Sequence, residues 1–210
     1  MIRIELASLP HTTHRDAVVG LYREVFGGPV EANVEHLEEG RASTCWLAFD
    51  GDLLVGLKWA TQRKRGELHS NLGLVRESHR RQGIARALMH AQHTWAREQG
   101  YRKVTSTTFR ANAPMLLLDL EVGFELVGVQ WFEGSGAGAP SDLKLLLERD
   151  LRAEPAPLAH DPTVNEAVQT APTLEVVGRD ALATAVRAGF RVDGLHVRHG
   201  IPTVVVSSRA

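Results

Sequence analysis

At 210 residues the chain is long enough for one large domain or a domain with an appendage, and 43% hydrophobic with 23% charged residues is ordinary for a globular protein. Its single cysteine, Cys45, excludes an internal disulfide and suggests a reducing compartment. No apolar run approaches the roughly eighteen residues of a membrane span, and the net charge of −1 hides an asymmetry, since residues 58–110 carry +9 and the remainder −10.

Met1 to Leu6 lacks the shape of a signal peptide, so a cytoplasmic protein without a membrane partner is expected. Ile2 to Leu6 alternates as a first strand. Thr12 or Thr13 can cap a helix running through Phe26, which presents Val18, Leu21, Tyr22 and Val25 on one face and stops at Gly27-Gly28-Pro29. A short helix is expected over Val34 to Glu39. Glu24, Glu31, Glu35, Glu38 and Glu39 make this region acidic. Thr44 to Phe49 and Leu53 to Thr61 read as strands joined by Asp50-Gly51-Asp52, and a basic turn from Gln62 to Gly66 leads into a third strand, Glu67 to Val75. Period-two alternation puts His69, Asn71 and Gly73 on one face of that strand and Leu68, Ser70, Leu72 and Leu74 on the other. Gly73, isolated within it, suggests a bulge or a close backbone approach.

Leu74 to Arg86 organises the chain. A strand runs into a polar turn, and Arg80-Arg81-Gln82-Gly83-Ile84-Ala85 opens a helix reaching Gln99, with Ile84, Leu88, Ala91 and Trp95 on one stripe. The first turn of a helix has N–H groups without intrahelical partners and a partial positive charge, so it seats an anion wherever the backbone can come close. Gly83 has no Cβ to obstruct that approach, Ala85 is nearly as small, and the +9 segment brackets the loop. His90 and His93, three apart, have no further ligand pattern to complete a metal site, so no metal is expected.

Lys103 to Thr108 reads as a strand. Asn112 caps the next helix, which tolerates Pro114 in its first turn and ends at Gly123; Phe124 to Trp131 and Asp142 to Glu148 read as strands around a Gly-rich loop, Gly134 to Gly138. Prolines 155, 157, 162 and 172 mark residues 151–172 as a linker or irregular crossing. Thr173 to Arg209 then reads strand, helix, strand, strand. Ala188-Gly189-Phe190 follows Val122-Gly123-Phe124 at an offset of 66 residues, which suggests a degenerate internal repeat.

The pattern Arg80-x-x-Gly83-x-Ala85, between a strand and a long amphipathic helix, resembles the coenzyme A pyrophosphate loop of the GNAT superfamily of N-acetyltransferases. Asn112 through Gly123-Phe124 is similar to that superfamily's second signature, in the same order along the chain. The resemblance implies an α/β fold: a mixed, mostly antiparallel seven-stranded sheet with helices on both faces, followed here by a C-terminal partial repeat of its second half. The domains expected are 1–150, a linker 151–172 and an appendage 173–210, structural or dimerising. It further implies that acetyl-CoA is the acetyl donor, held by Arg80, Arg81, Gln82, Gly83, Ile84, Ala85 and Arg86, by backbone bonds from Leu74 and Val75, and by Asn112. Many members associate through C-terminal strands, so a homodimer is the expected assembly.

The implied reaction is acetyl transfer to the amine of a small-molecule or peptide acceptor. An amine with a pKa of about 10.4 is protonated at neutral pH, so a base matters more than an acid. Many relatives carry an acid tyrosine seven residues after the signature Asn, where this chain has Asp119, expected on the helix surface. His69, on the strand before the loop, is the candidate base because imidazole titrates near neutrality; Glu67 is the alternative. The acidic segment predicts a cationic acceptor. No nucleic-acid motif accompanies the basic segment, so nucleic acid is not expected. The competing reading is a catalytically weak or inactive acyl-CoA-binding module.

Overall fold

The computed structural model describes residues 1–7, 13–27, 44–133, 142–167, 173–199 and 201–208, with Asn165 described in its backbone alone. The expected helix Val34 to Glu39, the glutamates at 31, 35, 38 and 39, and the Gly134 to Gly138 loop lie outside the described residues. The chain divides into two compact units, Met1–Thr105 and Ser106–Ala210.

The first unit holds β1 (Ile2–Ala7), α1 (Arg15–Phe26), β2 (Thr44–Asp50), β3 (Leu53–Lys64), β4 (Glu67–Val75), α2 (Ile84–Glu98) and the start of β5 (Lys103–Phe109). Its strand order is β1-β2-β3-β4-β5. β1 to β4 pair antiparallel; short turns join β2 to β3 and β3 to β4, whereas α1 intervenes in the chain between β1 and β2. The β2–β3 turn uses Gly51 at φ 58, where a residue without Cβ is unstrained. β3 runs three residues further than its apolar pattern suggests, to Lys64. α1 begins at Arg15 after His14 with no side-chain cap, so Thr13 does not serve as one, while Thr12 lies outside the described residues; Gly27 at φ 65 ends the helix with its N–H on the Arg23 carbonyl at 2.8 Å.

One side of this sheet packs on α1: Val18, Leu21 and Tyr22 bury against Cys45, Leu47, Phe49, Leu57, Trp59 and Leu74, with Leu72 against the same cluster. α2 lies on the other. A Cβ on Gly56 would meet Ile84 Cγ2 at 3.1 Å and Leu88 Cδ1 at 3.2 Å, so this glycine permits the approach of the helix. The buried face of α2 is Ile84, Leu88, Met89, Gln92, His93 and Ala96. It is turned from the expected stripe, since Ala91 and Trp95 are only half-buried. Polar Gln92 is accommodated because Ser70 of β4 donates to its Oε1 at 2.7 Å.

The pairing of β3 with β4 slips between Lys58↔Gly73 and Ala60↔Ser70, so β4 carries one extra residue around Asn71 and Leu72. The bulge is as expected, and it overturns the expected faces. Before it Leu68 and Ser70 point to α2; after it Leu72 and Leu74 point to the α1 cluster and Gly73 lies against Lys58. A single inserted residue reverses every later side chain.

The second unit holds the rest of β5, then α3 (Ala113–Glu121), β6 (Glu125–Phe132), β7 (Asp142–Asp150), the short α4 (Pro162–Ala167), β8 (Thr173–Val177), α5 (Arg179–Arg187), β9 (Arg191–Arg198) and β10 (Ile201–Ser207). Here the strand order is β5-β7-β6, with β6 and β7 antiparallel, and separately β8-β10-β9, all antiparallel. Residues 151–172 do not run free of the unit throughout: Pro155 covers Gly123, and Val164 of α4 is buried. α3 and α5 have nine residues each, β6 and β9 eight each, and the pairs stand 66 residues apart. Both helices end on a glycine in the left-handed region, Gly123 at φ +94 and Gly189 at φ +95. In both, the following phenylalanine N–H bonds back to a helix carbonyl, Phe124 to Asp119 at 2.9 Å and Phe190 to Ala185 at 3.1 Å.

Candidate active site

β4 leads directly into the anion loop. Arg76 is fixed where the strand ends: its N–H bonds to the Val55 carbonyl at 2.8 Å and its guanidinium reaches the Leu54 carbonyl and the Glu24 carboxylate. A 3₁₀ turn, Glu77–His79, follows. Arg80 is extended and its Nε donates to the Val75 carbonyl at 3.2 Å, while Gln82 Nε2 donates to the Ser78 carbonyl at 3.3 Å. Arg81 then adopts φ 62, a left-handed conformation that costs a non-glycine residue about 1–2 kcal/mol, and Gly83 follows at φ 79. Left-handed turns of this kind bring successive N–H groups onto one concave surface, an anion-binding arrangement.

The first turn of α2 has no acidic residue and no side-chain cap, so the helix itself supplies no carboxylate to its dipole. A Cβ on Gly83 would meet no heavy atom within 4 Å, and the space before it is open. Arg81, Gln82, Gly83 and Arg86 are exposed and Ala85 is half-buried, while Ile84 is buried and anchors the turn. Leu74 is buried in the α1 cluster and Val75 is half-buried. These residues fit a pyrophosphate. Asn112, in the second unit, caps α3 by accepting the Met115 N–H at 3.3 Å, as expected.

His69 is 5% exposed and its Nδ1 shares a 2.9 Å hydrogen bond with the Thr105 hydroxyl. Burial, helped by Arg63 and Lys58 and opposed by Glu67, pushes its pKa down to about 4. The expectation of titration near neutrality is therefore corrected: the imidazole is uncharged at pH 7. It lies on the face of β4 opposite Ser70, with Thr61 across from it and Asn71 donating to the Thr61 hydroxyl at 3.1 Å. Glu67 pairs with Lys103 at 3.5 Å.

Three further side chains depart from the sequence reading or were absent from it. Lys58 is 2% exposed and lies over Gly73, whose Cβ would stand 3.3 Å from the lysine Cδ; the one signal was a lysine inside the apolar run Leu57-Lys58-Trp59. Thr105, the partner of His69, carried no signal of its own. Asp119 is fully buried rather than on the helix surface, because α3 presents Leu116, Asp119 and Leu120 on its inner side. Cys45 is a core thiol whose burial pushes its pKa up to about 12, so it is no nucleophile at neutral pH. Among the described residues no group of three or more His, Cys, Asp or Glu could hold a metal, and no helix is long and apolar enough to cross a membrane.

The model of the acetyltransferase (GNAT) family matches residues 13–124, which span β4, the loop, α2 and α3. The chain belongs to this family. Among relatives, N-acetyltransferase 8B of Rattus norvegicus is 35% identical over 97 residues and N-acetyltransferase 8 of Homo sapiens 32% over 99; each match covers 44% of this chain and 43% of the relative. The chain thus matches less than half the length of these curated relatives. Among solved structures, the ribosomal-protein-S18-alanine N-acetyltransferase of Escherichia coli superposes with a TM-score of 0.60 at 14% identity, covering 71% of this chain and 94% of that one. A Bacillus subtilis acetyltransferase in complex with CoA gives 0.56 at 19% identity, covering 71% and 99%. At these identities the structures establish a shared GNAT fold. Acetyl-CoA is the donor that the family uses, and the open, uncapped loop of α2 suits its pyrophosphate.

Proposed function

We propose that this protein transfers the acetyl group of acetyl-CoA to the amine of a small-molecule or peptide acceptor. The observation that carries the reading is the loop itself, with Arg81 and Gly83 both left-handed, opening an uncapped helix at the end of a bulged strand. The N–H groups from Arg81 to Arg86 hold the pyrophosphate, with Arg80, Gln82 and Ile84 setting the loop's shape, Leu74 and Val75 offering backbone bonds to the pantetheine arm, and Asn112 as a further cofactor contact. The amine nitrogen attacks the thioester carbonyl carbon, the C–S bond breaks and a thiolate leaves; the amine proton passes to His69, directly or through water, or to Glu67. Being uncharged at neutral pH, His69 has its lone pair free for that proton, although a pKa of about 4 makes it a weak base. That weakness, with Asp119 where many relatives carry tyrosine, favours a second reading, an acyl-CoA-binding module of low catalytic power.

The acceptor is cationic in this reading, drawn by the glutamates between Glu24 and Glu39; Glu24 is already engaged by Arg76, so the attraction rests on the others. Residues 173–210 form a degenerate half-repeat beyond a catalytic domain of residues 1–150, joined by 151–172, and lack a phosphate loop of their own; the matched lengths and strand orders support this. The protein acts in the cytoplasm as a homodimer. Thiol release from acetyl-CoA across a panel of amines, amino acids and peptides tests the reaction, and calorimetry on Gly83→Asp tests the loop. A side chain and a charge at that place should cost at least about 100-fold in acetyl-CoA affinity. Unchanged affinity rejects the loop assignment, and binding without thiol release for any amine selects the second reading.

A further inference from the structure

At the opposite end of α2 from the phosphate loop the first unit contains a cavity of about 950 Å³, within the size range of small-molecule sites. A fifteen-residue helix at 1.5 Å per residue puts about 22 Å between the two. One wall is aromatic. Trp95 stacks on Tyr101 with ring centres 5.8 Å apart and planes at 30°, and Trp46 meets Trp95 edge-on at 5.5 Å, which holds the indole in place. Among the described residues the rim is cationic: Arg65, Arg102 and Lys103 line it, Lys103 is matched by Glu67 at 3.5 Å, and two arginines remain in excess of that carboxylate. Arg65 and Arg102 are exposed, so their charges cost the fold little and are available to a ligand. The cavity is also lined by Thr44, which is 7% exposed and whose hydroxyl makes no hydrogen bond among the described residues. A buried hydroxyl left unpaired is destabilising, which a bound polar group offsets.

We propose that this cavity is a second ligand site, separate from the coenzyme A loop, for a planar aromatic molecule bearing an anionic group. The ring lies against Trp95 and Tyr101, as flat π-systems do on aromatic and guanidinium faces. The anion is taken by Arg65 and Arg102, whose planar forks match a carboxylate or phosphate. Thr44 turns its hydroxyl to the ligand's polar edge.

The test uses the full chain and naphthalene-2-carboxylate as probe, with naphthalene-2-carboxamide as the uncharged counterpart, followed by calorimetry and by quenching of tryptophan fluorescence. The carboxylate should bind saturably and at least about tenfold more tightly than the carboxamide, the scale of one charge-assisted hydrogen bond. Arg65→Ala with Arg102→Ala should erase that difference, and both sites are exposed, so the fold is kept. Thr44→Val, which preserves shape and removes the hydroxyl, should weaken the carboxylate about fivefold without lowering thermal stability. Gly83→Asp should leave carboxylate binding unchanged, which separates this site from the assignment of the loop. Absence of saturable binding, equal affinity for the two probes, or an affinity insensitive to the arginine pair would each overturn the proposal.

Discussion

Residues 112–132 and 178–198 follow one local plan and are used differently. Each is a nine-residue helix closed by a left-handed glycine and a buried phenylalanine, followed by an eight-residue strand. Leu116 and Leu182 are both 2% exposed at matching places. The differences lie in what surrounds the plan. Asn112 caps the first helix with its side chain, whereas the second begins at Gly178 with no side-chain cap. A Cβ on Gly123 would collide with the Pro155 ring, whereas one on Gly189 would meet nothing within 4 Å. At the place where the second helix buries Ala185, the first buries the carboxylate of Asp119. Backbone conformation is therefore dictated locally in both, while the cost of altering it is set by what the rest of the chain brings alongside.

The largest effect should separate the two glycines. Gly123→Ala combines left-handed strain with a collision against a rigid proline ring, and urea denaturation should show a loss of about 3 kcal/mol or more. Next is a contrast of two histidines, His69 on β4 and His196 on β9, the latter 3.6 Å from Glu175. His69→Ala should lower kcat/KM at neutral pH by about 100-fold, the lower end of general-base contributions, while His196→Ala leaves it unchanged. Because the His69 pKa is depressed to about 4 from 6.5, the unfolded chain binds a proton there that the folded chain refuses. Stability should fall as the pH drops from about 6.5 towards 4, and His69→Gln should flatten that part of the profile; an unflattened profile would place the burden elsewhere.

Gly189→Ala should cost about 1–2 kcal/mol, conformational strain alone; a loss equal to that of Gly123→Ala would mean that Pro155 plays no part. The smallest expected effect is that of Asn112→Ala, about 1 kcal/mol for a lost N-cap. A fall in acetyl-CoA affinity much beyond tenfold in the same variant would show Asn112 acting on the cofactor as well as on its helix.

The amino-acid sequence by itself determined what depends on neighbours along the chain. β4 was legible from Glu67 to Val75, the loop from Arg80 to Ala85, the Asn112 cap and the glycine stops of α1 and α3, because propensity, capping and left-handed turns are settled within a few residues. Even the bulge was signalled by Gly73. Only the tertiary structure decided the rest. Which way Leu72 and Leu74 face depends on where β3 resumes its register; the buried face of α2 depends on the closeness that Gly56 allows; and the depressed basicity of His69 depends on burial together with Arg63 and Lys58. Asp119 is buried because α3 turns it inward, a matter of packing that helix-surface statistics miss. Register, packing and desolvation are set by residues distant in sequence, so no local pattern encodes them.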